Sequence, residues 1–239
     1  MRSQKLFAAG AALSVVVAMT ALTATPAQAS GKHCRGKTAT IVGHGKVNGT
    51  SHRDVIYLTG ASTVNAKAGN DLICGSAKRD VISGGAGDDR ISSGRGNDSI
   101  KGGAGRDRLT GNGGADTISG GNSADRIFGN TGTDTLTGDN GDDTINGGDG
   151  DDTINGGDGN DQLNGDDGND HLNGDDGDDG CYGDAGDDEV DGDSGSDHVD
   201  GGAGDDVEHS DSDDYSDASD DDGVDSDSDD GAAVSATNE

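Results

Sequence analysis

The chain lacks tryptophan altogether and has one proline, two phenylalanines and three tyrosines in 239 residues. Aromatic side chains therefore cannot form its core. Leu, Ile, Val and Phe together number 34, a share below the roughly 20% under which a highly charged chain is ordinarily disordered. Only three of the 48 acidic residues are Glu, and residues 127–239 contain no Lys or Arg. The net charge of −32 repels phosphate and excludes a nucleic-acid partner. Long apolar runs are missing apart from one at the N-terminus, which excludes a polytopic membrane protein. What remains is either a disordered acidic chain or a repeat structure held by something other than apolar burial.

Glycine is abundant, with 46 residues. At the N-terminus, Arg2 and Lys5 precede an apolar run from Leu6 to Leu22, and Ala27-Gln28-Ala29 has the A-x-A form of a cleavage site. The pattern predicts a signal peptide over 1–29, cleavage after Ala29 and a secreted chain with no stable membrane insertion. Outside the cell calcium is available and disulfides persist. Charge is divided along the rest. Residues 30–126 carry 14 Lys and Arg against 9 acids, whereas residues 127–239 carry 39 acids.

A period of nine organises the acids. From Asp71 every ninth residue is Asp, sixteen in a row, ending at Asp206. Two residues after each stands a large apolar residue or cysteine, from Ile73 to Val199, and the series fails only at Glu208. Glycine fills the first position from Gly75 to Gly201 except at Ser93, and the fourth from Gly69 to Gly204 except at Lys78 and Ser123. The unit is G-x-x-G-x-D-x-U-x, clearest in Gly147-Gly148-Asp149-Gly150-Asp151-Asp152-Thr153-Ile154-Asn155. Nine residues are too few for a helical hairpin. Glycines permit tight turns over the first six positions, and the last three suit a very short strand with U facing inward. Two units then make one coil, and residues 75–209 give about seven coils, a rod on the order of 35 Å long. One buried aliphatic residue in nine cannot offset the entropy of ordering the other eight. The remaining stabilisation points to a metal. Columns of Asp carboxylates repel unless cations lie between them, and glycine turns expose carbonyl oxygens. This all-oxygen donor set suits calcium, a hard cation with six to eight ligands, better than magnesium. The scattered His and Cys do not suit zinc.

The unit resembles the RTX, or hemolysin-type, calcium-binding nonapeptide repeat G-G-x-G-x-D-x-U-x, over about residues 66–209. The stretches Cys34–Gly43 and Gly69–Gly75 also resemble the start of secreted hemolysin-type calcium-binding proteins of actinobacteria. The resemblance implies an all-β fold, a right-handed parallel β-roll with calcium between turns two units apart, held by Asp carboxylates and turn carbonyls. Asp143 would then share an edge with Asp161, and Asp152 with Asp170. The implied metal residues are Asp89, Asp98, Asp107, Asp116, Asp134, Asp143, Asp152, Asp161, Asp170, Asp179, Asp188, Asp197 and Asp206. Lys78-Arg79 and Ser123-Ala124 depart from the repeat, so the turns of Asp80 and Asp125 are expected to bind weakly. Arg106 stands where its turn usually has Asn or Asp.

Other chemistry finds little support. Asp178 to Glu189 has the length of an EF-hand loop but Gly180 and Tyr182 at ligand positions. His171 and His198 fall on outward strand sites, and nothing positions a catalytic triad. Cys34 in the N-terminal segment and Cys74, outward on the first coil, are expected to form a disulfide. Cys181 takes a U position as a buried thiol, with pairing between chains as the alternative. Thr117, Thr135, Thr144 and Thr153 make a partial outward row interrupted by Arg126. The expected organisation is an N-terminal cap with irregular first coils over 30–65, the β-roll over 66–209 and a disordered acidic tail over 210–239. The expected function is non-catalytic calcium binding that drives folding. A disordered calcium buffer and an adhesin or surface-binding solenoid are the rival readings.

Overall fold

The computed structural model describes residues 32–209 and the pair Tyr215–Ser216. The signal segment with its cleavage point after Ala29 lies outside the described residues, as does most of the tail from 210. Among the described residues there is no helix; the chain is a parallel β-solenoid. An antiparallel hairpin, β1 (His33–Cys34) and β2 (Lys37–Thr38), precedes it. Its Cys34 is disulfide-bonded to Cys74, with Sγ atoms 2.06 Å apart.

Each regular strand pairs in parallel with the strand two repeats away. Ile127 lies opposite Leu109 on one side and Ile145 on the other, while Ile118 lies between Ile100 and Leu136. Two repeats therefore complete one coil, and alternate repeats build two ladders. The inward residues form two facing stacks, one through Ile82, Ile100, Ile118, Leu136, Ile154 and Leu172, the other through Ile73, Ile91, Leu109, Ile127, Ile145 and Leu163. All are at most 1% exposed. Cys181 and Val199 extend the second stack, and the Cys181 thiol is free and buried.

The strands are longer than the three residues expected. Thr153–Asp158, for example, is a six-residue strand. The register skips Gly156 and resumes at Gly157 and Asp158, opposite Asp175 and Asp176. The reason lies in the second position of the repeat, which has a positive φ at every repeat from Gly85 to Gly202. Where this residue is not glycine it is Asn112, Asn130, Asp139, Asp166, Asp175, Asp184 or Asp193. Asn and Asp are the L-residues that tolerate the left-handed region best. The unit is thus more constrained than the spacing of glycines alone indicates.

The first coils are shorter than the rest. β3 (Ile41–Asn48) pairs with β4 (Val55–Asn65) at an offset that grows from Ile41↔Ile56 to Val47↔Val64, with a register shift between Gly43 and Gly45. Val55 then pairs with Leu72, and Thr63 with Val81, where the regular 18-residue spacing begins. The outward threonines also sort differently from expectation. Thr117, Thr135 and Thr153 stand in one column, continued by Ser99, whereas Thr144 follows Arg126 on the opposite ladder. Arg126 does not interrupt the row, because counting along the chain mixes two faces.

Candidate metal sites

The D-x-U spacing turns each repeat Asp inward at the point where a turn enters a strand. Asp71 to Asp197 are all buried, and Asp206, at the end of the stack, is half-buried. In every one but Asp80, one carboxylate oxygen is fixed by the backbone of the preceding coil. Asp143 N donates to Asp161 Oδ1 at 2.7 Å and Asp161 N to Asp179 Oδ1 at 2.6 Å. On the other edge Asp134 N donates to Asp152 Oδ1, and Asp152 N to Asp170 Oδ1, both at 2.7 Å. The same bond links Asp89 to Asp107, Asp98 to Asp116 and Asp188 to Asp206. All thirteen expected metal residues thus stand in two columns, and Asp143 and Asp161 share an edge, as do Asp152 and Asp170.

The columns contain more residues than those thirteen. Asp54 heads one of them, its N–H donating to Asp71 Oδ1 at 2.6 Å. The period of nine misses it because the first coil is one residue short, yet Asp54-Val55-Ile56 carries the same D-x-U signal. Asp125 keeps the full pattern, accepting from Asp107 N and donating to Asp143 Oδ1. Ser123, in its turn, takes the positive φ that glycine takes elsewhere. Asp80 does differ. Its Oδ2 accepts from Ser76 N at 2.8 Å, within the turn that contains Lys78 and Arg79.

The second carboxylate oxygen has no donor. Oδ2 of Asp89, Asp98, Asp107, Asp116 and every following repeat Asp to Asp197 is buried without a hydrogen-bond partner. A buried, unpaired anionic oxygen is costly. Burial pushes the acids of Asp89, Asp116, Asp125, Asp152 and Asp179 up to about 7. It pushes those of Asp107, Asp134, Asp143, Asp170 and Asp188 up to about 6. The backbone N–H bond opposes the rise, and at Asp152 the neighbouring charges of Asp134 and Asp170 add to it.

The first-position glycine explains what surrounds the unpaired oxygen. A Cβ on Gly174 would lie 2.6 Å from Asp179 Oδ2 and 2.7 Å from Gly192 O; one on Gly120 would lie 2.5 Å from Asp125 Oδ2 and 2.7 Å from Gly138 O. A carboxylate oxygen and a carbonyl oxygen of the next coil converge on the space a side chain would fill. Neither can donate a hydrogen bond to the other, so the pair calls for a cation or a proton. Ser93 is the exception at this position: it is fully buried and its Oγ donates to Gly111 O at 2.7 Å. A hydroxyl there takes up the space beside Asp98.

An outer ladder runs along the turns at the fifth position. Asn160 N donates to Asp142 Oδ1 and Asn169 N to Asp151 Oδ1, both at 3.1 Å, and the pattern continues to Asp205 N on Asp187 Oδ1. It is interrupted from Arg106 through Ala115 and Ala124 to Thr133, whose side chains offer no carboxylate or carboxamide oxygen.

These features fit a hard cation. Every donor near the unpaired oxygens is oxygen, while Cys181 faces the core and His171 is engaged on the surface by Glu189 at 3.3 Å. Among the described residues no three His, Cys, Asp or Glu side chains converge as a metal-binding group. A cation here must therefore draw on one or two carboxylates together with turn carbonyls, the ligand mixture that calcium accepts. A family model, the RTX calcium-binding nonapeptide repeat, matches in overlapping copies that run from residue 65 to residue 208. No curated protein matches.

Proposed function

The chain belongs to the RTX calcium-binding nonapeptide repeat family, and on that premise we propose that it is a secreted, non-catalytic protein whose solenoid folds when calcium binds between successive coils. The observation that carries this reading is the double column of buried carboxylates, each with one oxygen fixed and the other unpaired. Without a cation these columns oppose the stacked state; with one, binding free energy becomes folding free energy. The residues proposed to hold calcium are Asp89, Asp98, Asp107, Asp116, Asp134, Asp143, Asp152, Asp161, Asp170, Asp179, Asp188, Asp197 and Asp206, completed by turn carbonyls. Calcium supplies positive charge between the coils, and the chain supplies oxygens and a core that forms only when the coils stack. Secretion rests on the signal pattern at 1–29. The core residues keep the same period as the Asp columns, which favours this reading over a disordered buffer. Size-exclusion and circular-dichroism measurements on chain 30–239 with calcium and with chelator test it: a compact β state in calcium alone supports it.

The uninterrupted column Ser99–Thr117–Thr135–Thr153 favours a second reading, a solenoid that also binds a surface. Replacing Thr117 and Thr135 by Lys would abolish adhesion to such a surface while leaving calcium-dependent folding intact.

A further inference from the structure

The two halves of the solenoid carry opposite surface charge. Residues 32–126 have 14 Lys and Arg, thirteen of them exposed, and 9 acids, of which Asp88 alone is exposed. Residues 127–209 have 27 acids, eight of them buried, and no Lys or Arg. Calcium in the columns offsets the buried acids and leaves the exposed charge of each half in place. Among the described residues the ion pairs join Glu189 to His171 and to His209, and none involves a lysine or an arginine. The basic half of the described chain is thus not paired with the acidic half of its own copy.

One face gathers this contrast. Arg90, Arg108 and Arg126 stand opposite one another in one parallel ladder, which continues through Thr144 and Gln162 to Gly180. Five coil steps, roughly 24 Å at the strand spacing, lead from Arg90 to Gly180. Like charges aligned on neighbouring strands repel. Burial, followed by the charges of Arg35, Arg126 and Arg90, pushes Arg108 below its ordinary value. The Arg108 guanidinium lies over the Phe128 ring, 4.3 Å from its centroid, which brings it to the middle of the face. In the second half acids take the corresponding place. Asn164 stands two coil steps beyond Phe128 in the same column, and its Nδ2 donates to Asp184 Oδ2 at 2.8 Å. Asp142 and Asp178 are exposed just before the strands of Thr144 and Gly180. The other ladder lacks the contrast, since Ser99, Thr117, Thr135 and Thr153 are uncharged.

We propose that two copies of the chain pair face to face through this ladder, antiparallel, about a twofold axis between the strands of Arg126 and Thr144. The charge changes sign at that point, so the axis sets the coil of Arg126 against that of Thr144 in the second copy, and the coil of Arg108 against that of Gln162. A parallel pair would set arginine against arginine. The partner is a second copy because its acidic half repeats at the coil spacing of the arginines, so that opposite charges meet in step along the face. Twofold closure makes each such contact twice, and charge complementarity of this kind fixes orientation and register. The inference rests on the calcium-driven folding proposed above, since only stacked coils align the ladder. The result is a calcium-dependent, salt-sensitive dimer in which each basic half is covered by the acidic half of the other copy.

The test is sedimentation equilibrium of chain 30–239 in calcium, with circular dichroism on every sample. The expected result is a monomer–dimer equilibrium at low salt that weakens roughly tenfold or more at high salt, where exposed charges are screened. Arg108→Glu with Arg126→Glu, and separately Thr144→Lys with Gln162→Lys, change outward side chains, and each pair is expected to weaken the dimer roughly tenfold or more. All four together swap the charges and are expected to restore it, a coupling that independent sites do not show. Should the glutamate pair lose the calcium-induced signal, the lysine pair carries the test alone, and dimerisation equal to the parent's would then overturn the pairing. A parent that stays monomeric with its full calcium-induced signal, growth past the dimer, or a fourfold variant no tighter than either pair would each overturn it too. So would a monomeric parent that binds dextran sulfate, because the face would then serve a foreign polyanion. Absence of the calcium-induced signal in the parent would instead overturn the folding proposal, so the two failures are told apart.

Discussion

Residues 84–137 and residues 138–191 build the same coil with opposite outer chemistry. In both stretches the U residues are buried, the second position has a positive φ, and each repeat Asp bonds the backbone one coil away. In the first stretch the outward sites include Arg90, Arg95, Lys101, Arg106, Arg108 and Arg126, and the fifth-position ladder, still made by Asp88 and Asn97, lapses from Arg106 to Thr133. In the second they carry no Lys or Arg but Thr, Asn, Gln, His, Gly, Tyr and acids, and that ladder is continuous from Asp142 to Asp187. The comparison separates two layers of the code. Gly, Asp and U set the backbone and are shared; the outer positions set charge and vary freely.

The strongest way to break the comparison is at the shared core. Ile91→Ala and Ile154→Ala each leave a cavity in a stack with no spare contacts. Each is expected to cost about 2–5 kcal/mol in urea unfolding of the calcium-loaded chain, by similar amounts. A large difference would mean that the halves do not share one core.

The Asp columns come next. Asp152→Ala removes the acceptor of Asp134 N and an unpaired oxygen. Losing a buried hydrogen bond to a charged group costs about 1.5–3 kcal/mol, so the calcium midpoint of folding should rise roughly tenfold or more. Asp161→Ala should behave alike. Asp80→Ala should shift the midpoint less: its Oδ1 is unpaired like one oxygen of the other repeat Asp residues, but its bonded oxygen is held by Ser76 N of its own turn, and Lys78 and Arg79 in that turn repel a cation. Equal effects would show that the Lys78-Arg79 turn is an ordinary site.

Acid offers a subtler contrast. Asp107 is raised to about 6 and Asp152 to about 7 in the metal-free fold, above the unfolded value of 3.8. A raised folded value contributes stability that is fully present below the unfolded value and is lost as pH rises through 6 to 7. In chelator the chain should therefore show more β signal at pH near 5 than near 8, with protons partly standing in for calcium. A chelated chain with no pH dependence over that range would contradict the burial of these acids.

The smallest effect is expected at the turns. Asn112→Ala places alanine at a φ of 78°, which costs about 1–2 kcal/mol. Asn112→Gly loses the Nδ2 hydrogen bonds to Ser92 Oγ and Gly111 O but not the backbone fit, and should cost less than Asn112→Ala by the same urea measurement.

Much of this architecture is legible in the sequence because its determinants recur. The period of Asp and U gives the parallel solenoid, the two-repeat coil and the inward stack, since a residue fixed every nine positions must meet the same environment every coil. What escapes is whatever the period hides. Asp54 lies outside the count because the first coil is a residue short. The second position looks variable until its φ shows that Gly, Asn and Asp are one class there. Thr117, Thr135 and Thr153 form a column, with Thr144 elsewhere, because neighbours in space are two repeats apart. The unpaired Oδ2 facing a carbonyl, and the Ser93 hydroxyl filling one such space, depend on how closely coils pack in the turns. No linear pattern reports that distance.

The central claim is that calcium, not apolar burial, decides whether the coils stack. Far-ultraviolet circular dichroism of chain 30–239 during a calcium titration tests it most directly. The account predicts a cooperative gain of β signal with a midpoint of about 10⁻⁴–10⁻³ M, the range of extracellular calcium modules, and no such gain with magnesium at the same concentration. Equal β signal in calcium and in chelator would contradict it.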